Sequence, residues 1–172
     1  TADMDLPVSQ PIIDALHDTV NHHIFGYSII TNEYYEAIQS WFERKYQWKI
    51  EKESIIYCPG TVHALNVAVK AFTKPNDGII IQRPVYPPFT SAIENNNRVV
   101  INNAMLCDEE GYYTIDFVDF EEKAQHPTTT MFILCNPHNP TGRIFSNQDL
   151  EKLAFICKEN NYYNLRWFTP TS

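Results

Sequence analysis

The sequence predicts an α/β protein with three layers. In it, helices cover both faces of a mostly parallel and incomplete sheet, and an N-terminal helical arm precedes the sheet. From residue 54 onward, short apolar segments alternate with segments of helical periodicity, which is typical of parallel strands joined by helical crossovers. The run Met131–Cys135 holds five apolar residues without a polar break, as expected for a strand that is covered on both faces.

The first fifty residues lie outside this alternation. Apolar residues at helical spacing predict a helix over about 10–22 and a second over about 33–47. Ser9 and Asn32 precede these segments and are expected to cap them. The domains predicted from this pattern are an arm with part of a small domain over residues 1–50, part of a large domain over 51–161, and an atypical tail over 162–172.

The rest of the chain predicts four strands with helices between them. The strands are expected near 54–58, 79–82, 98–101 and 129–135, and the helices near 62–73, up to 96, 117–125 and 147–160. Ser146 and Asp149 have the spacing of a capping box at the start of the last helix. The irregular stretch between the third strand and the next helix predicts a hairpin around Glu110–Gly111.

Composition and charge narrow the possible functions. The 172 residues carry a formal net charge of −8, which disfavours nucleic acid as a partner because phosphate binding needs a basic face. No apolar run reaches the roughly 20 residues that a membrane span requires. The four cysteines are widely spaced and lack the pattern of a zinc site. These features predict a cytoplasmic protein with buried free thiols, no bound metal and no membrane partner.

Three of the predicted loops share one edge of the sheet if the strands are parallel, and open α/β sheets bind ligands at such an edge. The first loop places Gly60, Thr61 and Val62 at the start of a helix, where N–H groups and the helix dipole attract an anion. Gly60 would let the backbone approach that anion closely. A glycine that serves only the geometry of a tight turn explains the same pattern.

The second and third loops offer an aromatic ring and polar side chains. Three prolines within five residues restrict the backbone around Tyr86, so its ring is either presented to a flat ligand or packed in the core. Asn136 and Asn139 follow the fourth strand and either contact a ring heteroatom or complete the hydrogen bonds of the turn. His138, between them, is either a base or a hydrogen-bonded surface group.

Together, the three loops predict a site for a flat, phosphorylated aromatic cofactor. A nicotinamide dinucleotide fits less well, because no Gly-x-Gly-x-x-Gly follows any strand. A nucleoside triphosphate is disfavoured because the chain lacks Gly-x-x-x-x-Gly-Lys-[Ser/Thr].

Five motifs occur in an order and spacing that resemble one group of enzymes. They are Ala2–Asp5, Ile24–Tyr27, Pro59–Leu65, Pro84–Phe89 and Leu134–Arg143. They resemble the pyridoxal-phosphate (PLP) enzymes of fold type I in the class I/II aminotransferase superfamily, and most of all the cystathionine β-lyase (C–S lyase) branch. The resemblance covers about residues 1–160 and implies an N-terminal fragment of such an enzyme.

The resemblance implies a role for each matching residue in the large domain, which would bind PLP. The backbone N–H groups around Gly60, Thr61 and Val62 would hold the cofactor phosphate. Tyr86 would stack on the pyridine ring, and Asn139 would hydrogen-bond the phenolic oxygen of that ring.

Three further roles are implied. Tyr27 would reach the phosphate of the neighbouring subunit's cofactor, which implies a homodimer with a shared active site. Asp5 would lie at the substrate entrance. Arg143 would form a structural salt bridge.

The chain departs from the family pattern at the catalytic residues. The family uses a Schiff-base lysine in a Ser/Thr-x-x-Lys motif, an aspartate on the pyridine nitrogen and a late arginine for the substrate carboxylate. None of the eight lysines has Ser or Thr three residues before it, and none lies in a binding loop. These lysines are Lys45, Lys49, Lys52, Lys70, Lys74, Lys123, Lys152 and Lys158. The expected apolar strand after Asn161 is also replaced by a more polar segment, so no catalytic residue is assigned.

For the intact protein, the resemblance implies β-elimination on a small sulfur-containing amino acid, with release of a thiol, pyruvate and ammonia. Two alternatives stay open. One is transamination with the same cofactor, and the other is a non-catalytic remnant or regulatory binding protein on the same scaffold. The chain by itself is expected to be inactive.

Overall fold

The computed structural model describes residues 5–160 and the backbone of residues 163–168. The chain divides into two compact units, Thr1–Ile56 and Tyr57–Ser172, and each unit is described by itself. Among the helices in the described part of the chain, none is both long and apolar enough to cross a membrane.

The first unit contains the two predicted helices, α1 (Gln10–Asn21) and α2 (Asn32–Tyr46). Ser9 occupies the N-cap position of α1, although its side chain makes no capping hydrogen bond. The N-cap of α2 is Thr31 and not Asn32, because Thr31 is still extended (φ −83°, ψ 167°). Both helices are therefore confirmed, and the predicted cap of α2 is wrong by one residue.

The strand predicted over 54–58 does not form. Lys52–Ser54 is a single turn of 3-10 helix, and Ile56 and Tyr57 are 82% and 58% exposed. A strand needs a neighbour for its backbone hydrogen bonds, and no strand in the described residues pairs with this segment. The prediction is wrong because a short apolar run does not reveal whether a partner strand exists.

The second unit contains a parallel four-stranded sheet and a separate antiparallel hairpin. In chain order, the strands are β1 (Gly78–Ile81), β2 (Val99–Asn102), β3 (Leu106–Cys107), β4 (Tyr113–Thr114), β5 (Thr129–Asn136) and β6 (Tyr163–Phe168). The parallel sheet has the order β2-β1-β5-β6, and β3 pairs with β4 around Gly111. The strands predicted near 79–82, 98–101 and 129–135 are confirmed, as is the hairpin.

Helices cover both faces of this sheet. They are α3 (Thr61–Phe72), α4 (Pro88–Glu94), α5 (Phe117–Ala124) and α6 (Asn147–Glu159). Successive strand residues alternate between two buried clusters. Ile79, Ile81, Met131, Ile133 and Cys135 pack with α3 and α4, whereas Ile80, Phe132 and Leu134 pack with α5 and α6. Because side chains alternate along a strand, both faces of the two central strands are buried, and the predicted three-layer fold is confirmed.

The predicted capping box starts α6. The Ser146 Oγ accepts a hydrogen bond from the Asp149 N–H over 3.1 Å, and the Asp149 Oδ2 accepts one from the Ser146 N–H, also over 3.1 Å. These two bonds satisfy backbone donors that a helix start otherwise leaves without a partner.

The predicted tail contains a strand. β6 pairs in parallel with β5 from Met131↔Tyr163 to Asn136↔Phe168. Asn164 and Arg166 interrupt the apolar pattern of this segment, so the sequence did not identify it as a strand. The open edge of β5 provides the partner, which a local pattern does not show. Residues 162 and 169–172 of the predicted tail lie outside the described residues.

Candidate functional site

Two loops meet at the carboxyl edge of the sheet. One follows β1 and the other follows β5, and because these strands are adjacent and parallel, both loops leave the same edge. The backbone N–H of Tyr86 in the first loop donates to the carbonyl oxygen of Asn139 in the second loop over 2.9 Å. The two residues that were expected to contact a cofactor ring are therefore directly linked.

The start of α3 lies toward this same edge. The segment Thr73–Asp77 leads from α3 into β1, so that helix and strand run in opposite directions. Arg98, which directly precedes β2, donates from Nε to the Thr73 Oγ1 over 2.8 Å and places the end of α3 at the amino edge. The 12 residues of the helix span about 18 Å, whereas the four residues of β1 span about 13 Å. Gly60 and Thr61 therefore lie on the side of the carboxyl edge.

Gly60 occupies the N-cap position of α3 in a conformation that suits glycine. Its φ of +155° and ψ of 159° fall in a region that is essentially limited to glycine. Among the described residues, no side chain caps this helix, and apart from the two chain neighbours of Gly60 no atom lies within 4 Å of the position that a Cβ on Gly60 would take. Thr61 and Val62, which follow, are exposed. This helix start has room and backbone donors for an anion.

Asn139 is held by both of its backbone polar groups. Its carbonyl oxygen accepts from Tyr86, and its N–H donates to the Cys135 Sγ over 3.4 Å. Burial raises the pKa of the Cys135 thiol, and the opposing effect of the Asn139 N–H is smaller, so the sulfur accepts as a neutral thiol. Asn139 itself is exposed, and Tyr86 is half-buried against the cluster beneath α3 and α4. The backbone of Asn139 is thus fixed by two hydrogen bonds, while the residue itself is exposed.

His138 is buried, and the prediction of a surface group is wrong. Its side chain is 2% exposed. The Nε2 lies 3.1 Å from the carbonyl oxygen of Gln82, and the Nδ1 lies 2.9 Å from the Thr141 Oγ1. Because a carbonyl oxygen only accepts, we assign the proton to Nε2, and Nδ1 accepts from the Thr141 hydroxyl. Burial lowers the pKa of His138 despite the opposing effect of the Gln82 carbonyl, so the ring is neutral and neither nitrogen is available as a base.

A polar network continues from His138 across the ends of the strands to the half-buried Asp119, and the sequence patterns did not predict it. The Gln82 Nε2 donates to the Asn103 Oδ1 over 3.0 Å, and the Asn103 Nδ2 donates to the Asp119 Oδ2 over 2.8 Å. Burial raises the pKa of Asp119, but hydrogen bonds from Lys123 and Asn103 outweigh this effect and lower that pKa overall. The sequence contains one pattern that could have indicated this network, namely a polar residue directly after a strand. Gln82 follows β1 and Asn103 follows β2 in this way.

Arg143 makes a cation–π contact instead of the expected salt bridge. Its guanidinium carbon lies 3.8 Å from the centroid of the Tyr112 ring. The ion pairs found among the described residues do not involve Arg143. Arg143 therefore connects the loop after β5 to the β3–β4 hairpin.

The lysines of the second unit lie outside the loops that follow β1 and β5. Lys70 and Lys74 lie at the end of α3, near the amino edge of the sheet. Lys123 forms an ion pair within α5, and Lys152 and Lys158 are exposed on α6. The absence of a Schiff-base lysine from the chain stays a prediction.

Tyr27 and Asp5 belong to the first unit. Tyr27 is fully exposed between α1 and α2, and Asp5 is exposed before α1. Their expected roles toward a neighbouring cofactor and at a substrate entrance stay predictions.

The four cysteines are free thiols, and two of them are buried as predicted. These two are Cys135 and Cys157, whereas Cys58 is half-buried and Cys107 is exposed. Within the described residues, no group of three or more His, Cys, Asp or Glu side chains could hold a metal ion.

A comparison with known families covers almost the whole chain. A family model described as aminotransferase class I and II matches residues 3–165. The chain belongs to this family. The expected resemblance is therefore confirmed at the level of the family.

Individual members of the family agree with this assignment. The cystathionine beta-lyase PatB of Bacillus subtilis (strain 168) is 44% identical over 159 residues, which are 92% of this chain and 41% of PatB. The PLP-bound putative aminotransferase of Clostridium difficile 630 has a TM-score of 0.92 at 40% identity, covering 96% of this chain and 42% of that protein. The PLP-bound C–S lyase of Staphylococcus hominis has a TM-score of 0.90 at 32% identity, with 96% and 43% covered. The chain thus shares the fold of PLP-dependent fold type I enzymes and spans about two fifths of the length of these relatives.

Proposed function

We propose that the intact protein is a PLP-dependent C–S β-lyase of the cystathionine β-lyase type. It would cleave the bond between the β-carbon and the sulfur of a small amino acid and release a thiol, pyruvate and ammonia. The 44% identity to PatB supports the lyase assignment. The structural observation that carries the proposal is the hydrogen bond between Tyr86 and Asn139. It joins two loops at the carboxyl edge of the sheet, and the start of α3, which has no side-chain cap, lies on the side of this same edge.

The residues present fit PLP. The N–H groups of Gly60, Thr61 and Val62 would bind the phosphate dianion at the positive end of α3. Tyr86 would cover one face of the ring, and the exposed Asn139 side chain would donate to the phenolic oxygen. When bound, PLP supplies an electron sink for charge that develops on the α-carbon of the substrate. Because the two loops are tied to each other, the residues of this chain would hold the ring in one orientation.

The remaining assignments belong to the same proposal. We infer a homodimer in which Tyr27 contacts the phosphate bound by the partner subunit, and the full exposure of Tyr27 within its own unit is compatible with that role. Asp5 would lie at the entrance for the sulfur-containing amino acid. The four free thiols support a reducing compartment, and we propose the cytoplasm.

Transamination with the same cofactor is the second candidate, because one similar solved structure is a PLP-bound putative aminotransferase. Incubation of the intact protein with PLP and cystathionine separates the two reactions. Pyruvate release in the absence of any keto acid supports the lyase. A product that forms only when a keto acid acceptor is added refutes the lyase and supports the aminotransferase, and PLP binding without turnover of either kind supports a non-catalytic role.

The 172-residue chain alone is proposed to be inactive, because covalent attachment of PLP requires a lysine that its loops do not provide. The purified chain, mixed with PLP and then dialysed, should retain no visible cofactor absorbance and release no pyruvate. A visible absorbance band that survives dialysis would contradict this part of the proposal.

A further inference from the structure

The loops after β1 and β5 are connected at two points. The Tyr86 N–H donates to the Asn139 carbonyl oxygen over 2.9 Å, and the His138 Nε2 donates to the Gln82 carbonyl oxygen over 3.1 Å. Gln82 directly precedes the first loop, and His138 and Asn139 are neighbours in the second loop. Two consecutive residues of the second loop therefore hold the first loop at its start and at Tyr86.

The second loop is also closed on itself around His138. The His138 N–H donates to the Arg143 carbonyl oxygen, and the His138 carbonyl oxygen accepts from the Gly142 N–H, both over 2.7 Å. The ring Nδ1 accepts from the Thr141 hydroxyl over 2.9 Å. Every polar group of His138 thus has a partner inside the protein, so this residue has no donor or acceptor left for a cofactor.

We propose that His138 is a positioning residue for the cofactor ring, acting through the Gln82 carbonyl to keep Tyr86 and Asn139 in register. This inference rests on the PLP site proposed above. Without the Nε2 donor of His138, the carbonyl oxygen of Gln82 has lost this hydrogen-bond partner, and Gln82 is only 2% exposed. A buried carbonyl group without a partner is unfavourable, so the two loops would separate to admit water. Tyr86, which would cover the ring face, and Asn139, which would contact the phenolic oxygen, would then no longer be held at a fixed distance from each other.

A role in packing alone makes a different prediction. The His138 ring also lies edge-to-face on Phe145, with 5.8 Å between the centroids. If this packing were the whole role of His138, any polar replacement of similar size would lower stability and cofactor affinity together. If the hydrogen bond to the Gln82 carbonyl oxygen is the role of His138, PLP affinity should instead depend on whether the replacement side chain has an N–H donor at the position of Nε2.

Two amide replacements in the intact protein separate these explanations. In His138→Gln the amide nitrogen lies close to the place of Nε2 and still reaches the Gln82 carbonyl, whereas the shorter His138→Asn places its amide near Nδ1. We expect His138→Gln to bind PLP within about threefold of the unchanged protein and His138→Asn to bind about tenfold more weakly or worse. Equilibrium dialysis measures the affinity. Visible circular dichroism of bound PLP, which reports a fixed ring orientation, should decrease only in His138→Asn.

Two further variants control for stability. Phe120 packs on Phe132 with 4.9 Å between ring centroids on the face of α5 and α6, so Phe120→Leu should lower the melting temperature and leave PLP affinity unchanged. Thr141→Val keeps the shape of Thr141 and removes the hydroxyl that donates to His138. We expect it to fold and to weaken PLP binding by about threefold.

Equal PLP affinity in His138→Asn and His138→Gln would overturn the proposal. A loss of PLP affinity in Phe120→Leu as large as the loss in His138→Asn would also overturn it. If His138→Asn does not fold, unchanged affinity in Thr141→Val overturns it. If the unchanged intact protein binds no PLP, the proposed function itself fails, and the two failures are therefore distinguishable.

Discussion

Replacement of Gly60 by alanine tests whether the start of α3 depends on a glycine backbone. At φ +155° and ψ 159°, a residue with a Cβ pays strain of about 1–3 kcal/mol. Apart from the two chain neighbours of Gly60, no atom of the described residues lies within 4 Å of the added Cβ, so we attribute the expected loss to backbone strain. We expect the free energy of unfolding of the second unit to fall by about 2 kcal/mol.

Urea unfolding followed by circular dichroism measures this loss. With a slope of about 2 kcal/mol per M, a loss of about 2 kcal/mol lowers the unfolding midpoint by about 1 M. Gly26→Ala, in the first unit, is the control for the addition of a Cβ without strain. Beyond its chain neighbours, this Cβ also meets no atom of the described residues within 4 Å, and the backbone of Gly26 is not in the strained region. We expect Gly26→Ala to leave the stability unchanged or slightly increased.

Equal midpoints for the two alanine variants would refute the strain argument. A second readout links the strain to the proposed site. If Gly60→Ala relaxes by shifting the helix start, the N–H groups of Thr61 and Val62 move, and the PLP affinity of the intact protein should fall.

Acid should destabilise the second unit through His138. Burial holds the pKa of His138 below its ordinary value of 6.5, so the unfolded chain takes up this proton first as the pH falls below about 6.5, and the unfolding free energy decreases there. The decrease should be smaller in His138→Gln, as urea unfolding at about pH 7 and about pH 5.5 would show. Burial raises the pKa of Cys157 to about 12, so iodoacetamide should label it far more slowly than the exposed Cys107, which peptide mass mapping measures. Ser146→Ala removes the Oγ that accepts the Asp149 N–H and should cost about 1 kcal/mol in urea unfolding, whereas an unchanged midpoint would argue against the capping box.

Local patterns predicted most helices and the central strands. The capping box of Ser146 and Asp149 involves residues three apart in sequence, so the sequence contains all the information that it needs. The buried strand β5 was recognisable because its apolar run is continuous over Met131–Cys135. The motifs around Gly60, Tyr86 and Asn139 also indicated the family, which the match over residues 3–165 confirms.

Elements that depend on a distant partner were not predicted. The segment over 54–58 has strand-like residues but no neighbouring strand in the described structure, whereas Tyr163–Phe168 has a mixed pattern and pairs along the open edge of β5. Whether a segment becomes a strand is decided by hydrogen bonds to another strand, and these are absent from any local window.

The candidate site also combines features that local sequence determines with contacts between distant residues. By itself, the sequence determined which residue types stand at the loop ends, because Gly, Pro and Asn limit the local backbone. Only the tertiary structure decided that His138 is buried between Gln82 and Thr141, and that Tyr86 donates to Asn139. Gln82 and His138 are 56 positions apart in the sequence, and their contact exists because β1 and β5 are adjacent parallel strands whose carboxyl ends meet at one edge.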